Sequence, residues 1–250
     1  MVFVTGDTHG NWMDRLKAYS FPEQREMTKE DYVIICGDFG IWDNSKREKY
    51  NLRWLDDKPF TTLFVSGNHE NYDILDSLEM SEWHGGLVNF VRKSVIHLMR
   101  GQVFNIEDKT FFTFGGASSH DISAGILEPD DPNFKEKKKQ LDKDPFALYR
   151  INHVSWWERE LPSENEMEMG LDNLKKENNK VDYIITHSPS TSELYLMGGK
   201  GLYQSDVLTN YLEDVKANTE YNRHFFGHMH INKAINDKDI CLYEQIIRIL

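Results

Sequence analysis

Five apolar runs in this chain stop abruptly, each at a glycine or a histidine or, in one case, one serine before a glycine. Val2–Thr5 is followed by Gly6-Asp7-Thr8-His9-Gly10, and Tyr32–Cys36 by Gly37-Asp38. Thr61–Val65 leads into Gly67-Asn68-His69-Glu70, Val181–Thr186 ends at His187, and His224–Phe226 leads into Gly227-His228-Met229-His230. The runs are rich in Val, Ile, Phe and Thr, the composition of buried strands. In open α/β sheets, ligand-binding groups gather just beyond the carboxyl ends of the strands. The chain is therefore expected to fold in layers that bring five strand ends to one edge. The glycines before Asp7, Asp38, Asn68 and His228 permit sharp turns there, and rigid strands behind the polar side chains fix their positions.

The rest of the chain agrees with a layered α/β fold. Further apolar runs lie at Val95–Met99, Val103–Ile106, Thr110–Phe114 and Ile240–Tyr243. Helix-forming stretches of mixed charge lie near 12–20, 46–56, 71–80, 152–160, 164–178 and 204–216. The early strand–helix–strand alternation predicts α/β layers. Breaks between 87 and 115, such as Arg100-Gly101, read as hairpins and predict that part of the sheet is antiparallel. Residues 117–150 read as one long loop whose charge run, Lys135–Lys139, is a solvated face, with a lid role open. There is no internal repeat or low-complexity linker, so residues 1–250 are expected to form a single domain.

Composition excludes several classes. The 250 residues can bury a core without staples. The two cysteines, Cys36 and Cys241, are far apart and outside any CxxC pair, which argues against a disulfide framework and for a reducing compartment. Cys36 lies within an apolar run and reads as a small buried hydrophobe. No signal segment is visible at the N-terminus, and no apolar run reaches the roughly 18 residues of a membrane span. A cytoplasmic protein without a membrane partner is the default expectation. The net charge of −12 opposes binding of long nucleic acids. It leaves small phosphorylated substrates open, because bound dications invert the local field of an acidic protein.

The polar residues at the strand ends form a coherent donor set. Imidazole, carboxylate and amide oxygen, with no thiolate, suit manganese, iron, zinc, cobalt or nickel. The seven candidates are Asp7, His9, Asp38, Asn68, His187, His228 and His230. Seven donors exceed one tetrahedral ion and suit two ions sharing a carboxylate, roughly 3.5–4 Å apart. Each piece alone carries little. A Gly-Asp pair is common, and His187 by itself would read as a satisfied core histidine.

The ordered set DxH, GD, GNHE, H and GHxH, each behind a strand, resembles the calcineurin-like metallophosphoesterase superfamily, with motifs spanning residues 7 to 230. That resemblance implies an αββα sandwich, two mixed β-sheets flanked by helices, with a dinuclear metal site at the strand C-terminal ends. It implies one metal held by Asp7, His9, Asp38 and His230, and a second held by Asp38, Asn68, His187 and His228, with Asp38 as the bridge. It implies Asp38 and His69 as the catalytic residues, His69 as a general acid or transition-state stabiliser beside the substrate. The implied reaction is hydrolysis of a phosphate mono- or diester through a hydroxide bridging two divalent metals. Manganese is the metal expected first.

The resemblance has limits. Protein Ser/Thr phosphatases of the superfamily carry GDxVDRG, in which the second Asp supports the catalytic His and the Arg grips phosphate. Here Ile41 and Trp42 stand at those positions. Asp43 is the nearest candidate support for His69. The likeness to a subgroup of bacterial and phage phosphoesterases extends to Gly115–Asp121, able to loop over the site, and to Ser155–Pro162. It implies substrate contacts from Asn68, His69 and Arg150, against a plain surface role for Arg150. Trp156 and Trp157 read as core packing and a helix cap. Glu70 either orients a ligand or simply starts the next helix. His84, His97, His153 and His224 read as structural. The expected partner is a small phosphorylated substrate or a phosphoprotein. A nuclease or nucleotide hydrolase, and a non-catalytic scaffold of the same fold, are the alternatives. Specificity is assigned to the loops 116–150 and 188–204.

Overall fold

The computed structural model describes residues 1–41, 43–198 and 203–250. Along the chain the strands are β1 (Val2–Thr5), β2 (Tyr32–Ile35), β3 (Thr61–Phe64), β4 (Met80–Trp83), β5 (Gly86–Arg92), β6 (Val95–Leu98), β7 (Gln102–Ile106), β8 (Lys109–Phe114), β9 (Ile126–Leu127), β10 (Arg150–Ile151), β11 (Tyr183–Thr186), β12 (Arg223–Phe226), β13 (Lys233–Ala234), β14 (Asp239–Cys241) and β15 (Ile246–Arg248). The helices are α1 (Trp12–Leu16), α2 (Lys46–Asp56), α3 (Tyr72–Asp76), α4 (Phe134–Leu141), α5 (Glu164–Lys176), α6 (Thr191–Gly198) and α7 (Val207–Asn218).

Two mixed sheets carry the fold. The first has the order β15-β1-β2-β3-β6-β5-β4 and the second β13-β14-β12-β11-β8-β7. In the first, β1, β2, β3 and β6 are parallel neighbours, flanked by antiparallel β15 on one side and β5 and β4 on the other. In the second, β8, β11, β12 and β14 run parallel, with β7 and β13 antiparallel at the two edges.

Strand periodicity explains the layering. Successive side chains point to opposite faces. Val2, Val4, Tyr32 and Ile34 pack against Phe104, Phe111, Ile185 and Phe225 between the two sheets. The alternate residues Phe3, Val33 and Ile35 pack with Trp12, Leu16, Leu52 and Leu55 of α1 and α2. On the far side, Phe112, Phe114 and Ile184 meet Leu174 of α5 and Leu208, Leu212 and Val215 of α7. The three apolar interfaces make four layers, helix–sheet–sheet–helix, as the sequence implied. Strands buried on both faces read as continuous apolar runs. The helices that cover them are capped locally. Ser45 accepts from the Glu48 N–H at the start of α2, and Ser163 and Glu166 form a capping box on α5.

Three local expectations are corrected. The stretch 152–160 is not a helix. Strand β10 ends at Ile151, a bridge joins Asn152 to Trp156, and only a 3₁₀ turn, Glu158–Glu160, follows. The loop 117–150 contains α4 and the paired strands β9 and β10. Helix α4 buries none of its residues, and Lys137 and Lys138 pair with Asp131 and Asp142, so its charge run is indeed a solvated face. Arg100-Gly101 is not a hairpin turn but the crossing from the first sheet to the second. Arg100 is buried there and donates to the carbonyls of Gly115, Arg159, Glu160 and Leu161 and to the Tyr72 hydroxyl. A buried guanidinium so fully bonded ties three loops together. Cys36 and Cys241 are both buried thiols. Among the described residues, no helix is long and apolar enough to cross a membrane.

Candidate metal centre

Parallel pairing of β1, β2 and β3 in one sheet, and of β8, β11 and β12 in the other, makes all these strands end at the same edge. The seven residues singled out by sequence converge there. Asp7, His9, Asp38 and His230 each offer a donor atom, and the four atoms lie within 4.8 Å of one another. His230 Nε2 is 3.2 Å from Asp7 Oδ2, and the Nε2 atoms of His9 and His230 are 3.0 Å apart. A second group adjoins the first. His187 Nε2 is 3.2 Å from Asn68 Oδ1 and 3.5 Å from Asp38 Oδ1, and the His187 and His228 rings meet at 5.0 Å. Asp38 stands between the groups. Its Oδ1 faces His187, and its Oδ2 lies 3.8 Å from His9.

The backbone at this edge is shaped for close approach. Four of the seven residues have positive φ: His9 (46°), Asp38 (42°), His228 (64°) and His230 (50°). Non-glycine residues adopt that region seldom and at a cost, and such strain concentrates at functional sites. Two glycines make room for carboxylates. A Cβ at Gly67 would lie 2.1 Å from Asp38 Oδ1, and one at Gly227 would lie 2.0 Å from Asp7 Oδ1. Gly227→Ala is therefore expected to push the Asp7 carboxylate aside. Bound metal should fall, and the thermal midpoint should drop by the equivalent of about 1–3 kcal/mol, the usual cost of overpacking. Elemental analysis and a melting curve check both. Wild-type values for the variant would refute this account of Gly227.

Hydrogen bonds aim the donor atoms. Taken as an N–H, His187 Nδ1 donates to the Cys36 carbonyl at 2.8 Å, which leaves the Nε2 lone pair facing Asn68 and Asp38. Ser119 Oγ donates to Glu160 Oε2 at 2.7 Å and accepts from Asn68 Nδ2 at 3.2 Å. That order directs the Asn68 carbonyl oxygen into the site. His228 N–H donates to both oxygens of Asp7 at 3.0 Å. Lone pairs of a ring nitrogen, an amide oxygen and a carboxylate thus converge, an arrangement that a divalent cation satisfies. The donor set fits such ions on both sides of Asp38.

Charge and burial act on the same groups. Desolvation raises the Asp38 carboxyl, but the imidazoles of His187, His69 and His9 outweigh it and hold Asp38 below the ordinary range. Burial depresses His9, His69 and His228, whereas the hydrogen bond to Asp7 raises His230.

The remaining candidates are placed as follows. His69 donates its backbone N–H to Asp38 Oδ1 at 2.8 Å, and its ring lies 5.6 Å from that of His9. Arg150 is not a plain surface residue. Its side chain is 15% exposed, Asp121 and the Ser155 carbonyl hold it, and its Nη2 comes within 3.4 Å of the His69 ring. Asp43 is exposed and accepts from the Ser45 N–H, and Trp42 lies outside the described residues, as does 199–202 of the loop 188–204. Trp157 is a core residue that leads into the 3₁₀ turn and donates to Asp73. His97 is buried against Asn89 and pushed down to about 3 by burial. Glu193, His224 and Asp239 form another buried group of metal-type side chains, but Lys216 fills it, 2.5 Å from Glu193 and 2.8 Å from Asp239.

Glu70 takes the first of the two roles that the sequence offers for it, whereas the sequence does not single out Ser119 or Glu160 individually. Glu70 is wholly buried and does not start a helix, since Asn71 caps α3. Its carboxylate accepts from the N–H groups of Phe39, Gly40 and Ile41 at 2.6–3.1 Å and so holds the turn that carries Asp38. Burial, then the Asp38 charge, push it up to about 8. Ser119 and Glu160 orient Asn68, and burial pushes Glu160 up to about 7. Glu70 belongs to the GNHE motif, and Ser119 and Glu160 lie within Gly115–Asp121 and Ser155–Pro162, the two segments of the subgroup likeness.

Two packed sheets that present imidazoles, carboxylates and an amide at one edge are the frame of a metal-dependent hydrolase. A family model described as calcineurin-like phosphoesterase matches residues 1–232, and the chain belongs to that family. It is accordingly a metal-dependent hydrolase of phosphoric esters. No curated protein matches the chain. Among solved structures, phosphopantetheinyl hydrolase (PptH) from Mycobacterium tuberculosis is similar at 13% identity, over 97% of this chain and 87% of that one, with a TM-score of 0.39.

Proposed function

We propose that this chain, as one domain over residues 1–250, hydrolyses a small phosphate ester with two divalent cations, manganese first among them. The observation that carries this reading is the placement of Asp38, with one carboxylate oxygen toward each group of donors. Asp7, His9, Asp38 and His230 would hold one cation, and Asp38, Asn68, His187 and His228 the other. When bound, two such ions lower the pKa of a water to supply the nucleophile and offset phosphoryl charge.

The chain's own residues do the rest. His69, fixed by its backbone bond to Asp38, donates a proton to the departing oxygen or stabilises its charge. Arg150 pairs with Asp121 through both Nε and Nη2, and Nη2 also lies at His69, where its second N–H can bind a phosphoryl oxygen. Asn68 completes the substrate contacts. A cleft of about 550 Å³ opens beside Asp7 and His9 and is lined by Arg15, Tyr243 and Glu244. That size suits a small molecule. Its lining holds Asp7, Asp14, Glu23 and Glu244 against Arg15 alone, which disfavours polyphosphates and nucleic acid. The acidic protein is read as cytoplasmic.

The test is manganese-dependent turnover of a chromogenic phosphomonoester and a phosphodiester, with Asp38→Asn as the blank. Monoester-selective turnover points to a phosphatase, and diester-selective turnover to a phosphodiesterase or nuclease. No turnover above the blank with any of several metals would count against the reading and favour a scaffold. His69→Ala is expected to lower kcat about 10²-fold or more, the usual worth of a positioned proton donor, with metal content near normal. Loss of both metals in that variant would make His69 a ligand instead.

A further inference from the structure

Strand β14 belongs to the second sheet and β15 to the first, so the chain crosses between the sheets over residues 242–245. It crosses beside the metal centre. A Cβ at Gly6, the residue before Asp7, would lie 2.1 Å from the Leu242 carbonyl oxygen and 2.7 Å from the Tyr243 Cα. At this crossing the Tyr243 ring stacks on the His230 imidazole, with centres 4.8 Å apart and planes inclined by 21°. We infer that Tyr243 is the positioning residue of His230, holding the imidazole plane so that Nε2 faces the first cation. The inference rests on the reading of His230 as a ligand, and Tyr243 lies beyond residues 1–232, which the family model matches.

His230 needs such a support. Its side chain is 49% exposed, and its backbone φ is 50°. The polar contacts of its ring, to His9 and to Asp7, are both made by Nε2, the atom that a cation would take. Among the described residues, none is hydrogen-bonded to Nδ1. A ligand histidine is ordinarily aimed through its other nitrogen, as His187 is through Nδ1 and the Cys36 carbonyl. For His230 the flat face of Tyr243 takes the place of that hydrogen bond. Stacked aromatic rings prefer a narrow range of separation and offset, so the contact fixes the plane of the imidazole.

Tyr243 is itself held. Its N–H and that of Gln245 both donate to Asn232 Oδ1, at 2.8 and 3.2 Å. Asn232 follows closely on His230, so one amide ties the loop that carries the imidazole to the crossing that carries the phenol ring. Arg15 lies over the Tyr243 ring, 5.6 Å from its centre, and its Nη1 donates to the Gly6 carbonyl at 2.8 Å. A guanidinium over an aromatic face is attracted to it. The Tyr243 hydroxyl makes no hydrogen bond among the described residues, so the ring and not the hydroxyl carries the role.

Calorimetric titration of the metal-free proteins with Mn(II) tests this without recourse to activity. Wild type is expected to take two equivalents, and His230→Ala to lose one of them. Tyr243→Ala should weaken one equivalent by at least about tenfold, the smaller end of losses seen when support for a metal ligand is removed. Tyr243→Leu, which fills much of the same space without a flat face, should weaken it equally. Tyr243→Phe, which keeps the ring, should bind as wild type does. In the His230→Ala background, Tyr243→Ala should leave the remaining equivalent unchanged, since residues that act through one contact are not additive. Wild-type binding by Tyr243→Ala, or an equal further loss in the His230→Ala background, would overturn this inference alone. Wild-type binding by His230→Ala would overturn the reading of His230 as a ligand and this inference with it.

Discussion

Asp38→Asn is expected to leave the fold standing and, on the two-cation reading, to cost the protein both ions. The amide has the shape of the carboxylate, so it fits the space opposite Gly67, where even a methyl group would not. It removes the charge and turns an N–H₂ donor toward one of the two groups that Asp38 now faces with oxygen. The imidazoles of His187, His69 and His9 also lose the anion that balances them. Metal content by elemental analysis should fall from two per chain to less than one. Phosphoesterase turnover should fall by about 10³-fold, the loss typical when one strong electrostatic element of a site is removed. Circular dichroism should be unchanged. Full metal content with full activity would remove Asp38 from the centre of the site.

The second large effect concerns stability. Glu70→Ala leaves three buried N–H groups, those of Phe39, Gly40 and Ile41, without their acceptor. Unsatisfied buried donors cost about 1–3 kcal/mol each. The turn they belong to contains positive φ at Asp38 (42°) and Gly40 (99°), so it has little tendency to keep its shape unaided. A loss on the order of 3–5 kcal/mol is expected from denaturant unfolding of the metal-free protein. Glu70→Gln should recover only part of it, because the amide keeps one acceptor oxygen and brings a donor to the others. Stability equal to wild type in Glu70→Ala would mean that water serves these donors as well as the carboxylate does.

The two variants separate two kinds of role at one edge of the fold. Asp38 is expected to act on metal and turnover with little effect on folding. Glu70 is expected to act on folding first and on turnover through the position of Asp38. Arg100, Ser119 and Glu160 belong with Glu70, since each bonds to backbone or to a residue that carries a donor.

Strand positions were legible from the chain alone because burial on both faces writes a local, continuous signal. β1 runs over Val2–Thr5 as the apolar run does, and β2, β3 and β12 differ from theirs by a residue. The donor set was legible because each polar group follows its strand within a few residues, so strand order alone brings the groups together. The stretch 152–160 was misread because its helix-forming composition competes with a strand pairing, β9 with β10, that lies about 25 residues away. Other features have no local signature. Glu70 meets Phe39 across 31 residues, Ser119 meets Glu160 across 41 and Arg150 meets His69 across 81. His120 meets His228 across 108. Periodicity reports which face of an element is buried, and a short motif reports what chemistry stands at its end. Which distant side chain completes a hydrogen bond or aims an amide depends on how the two sheets stack, and that was decided only by the tertiary packing.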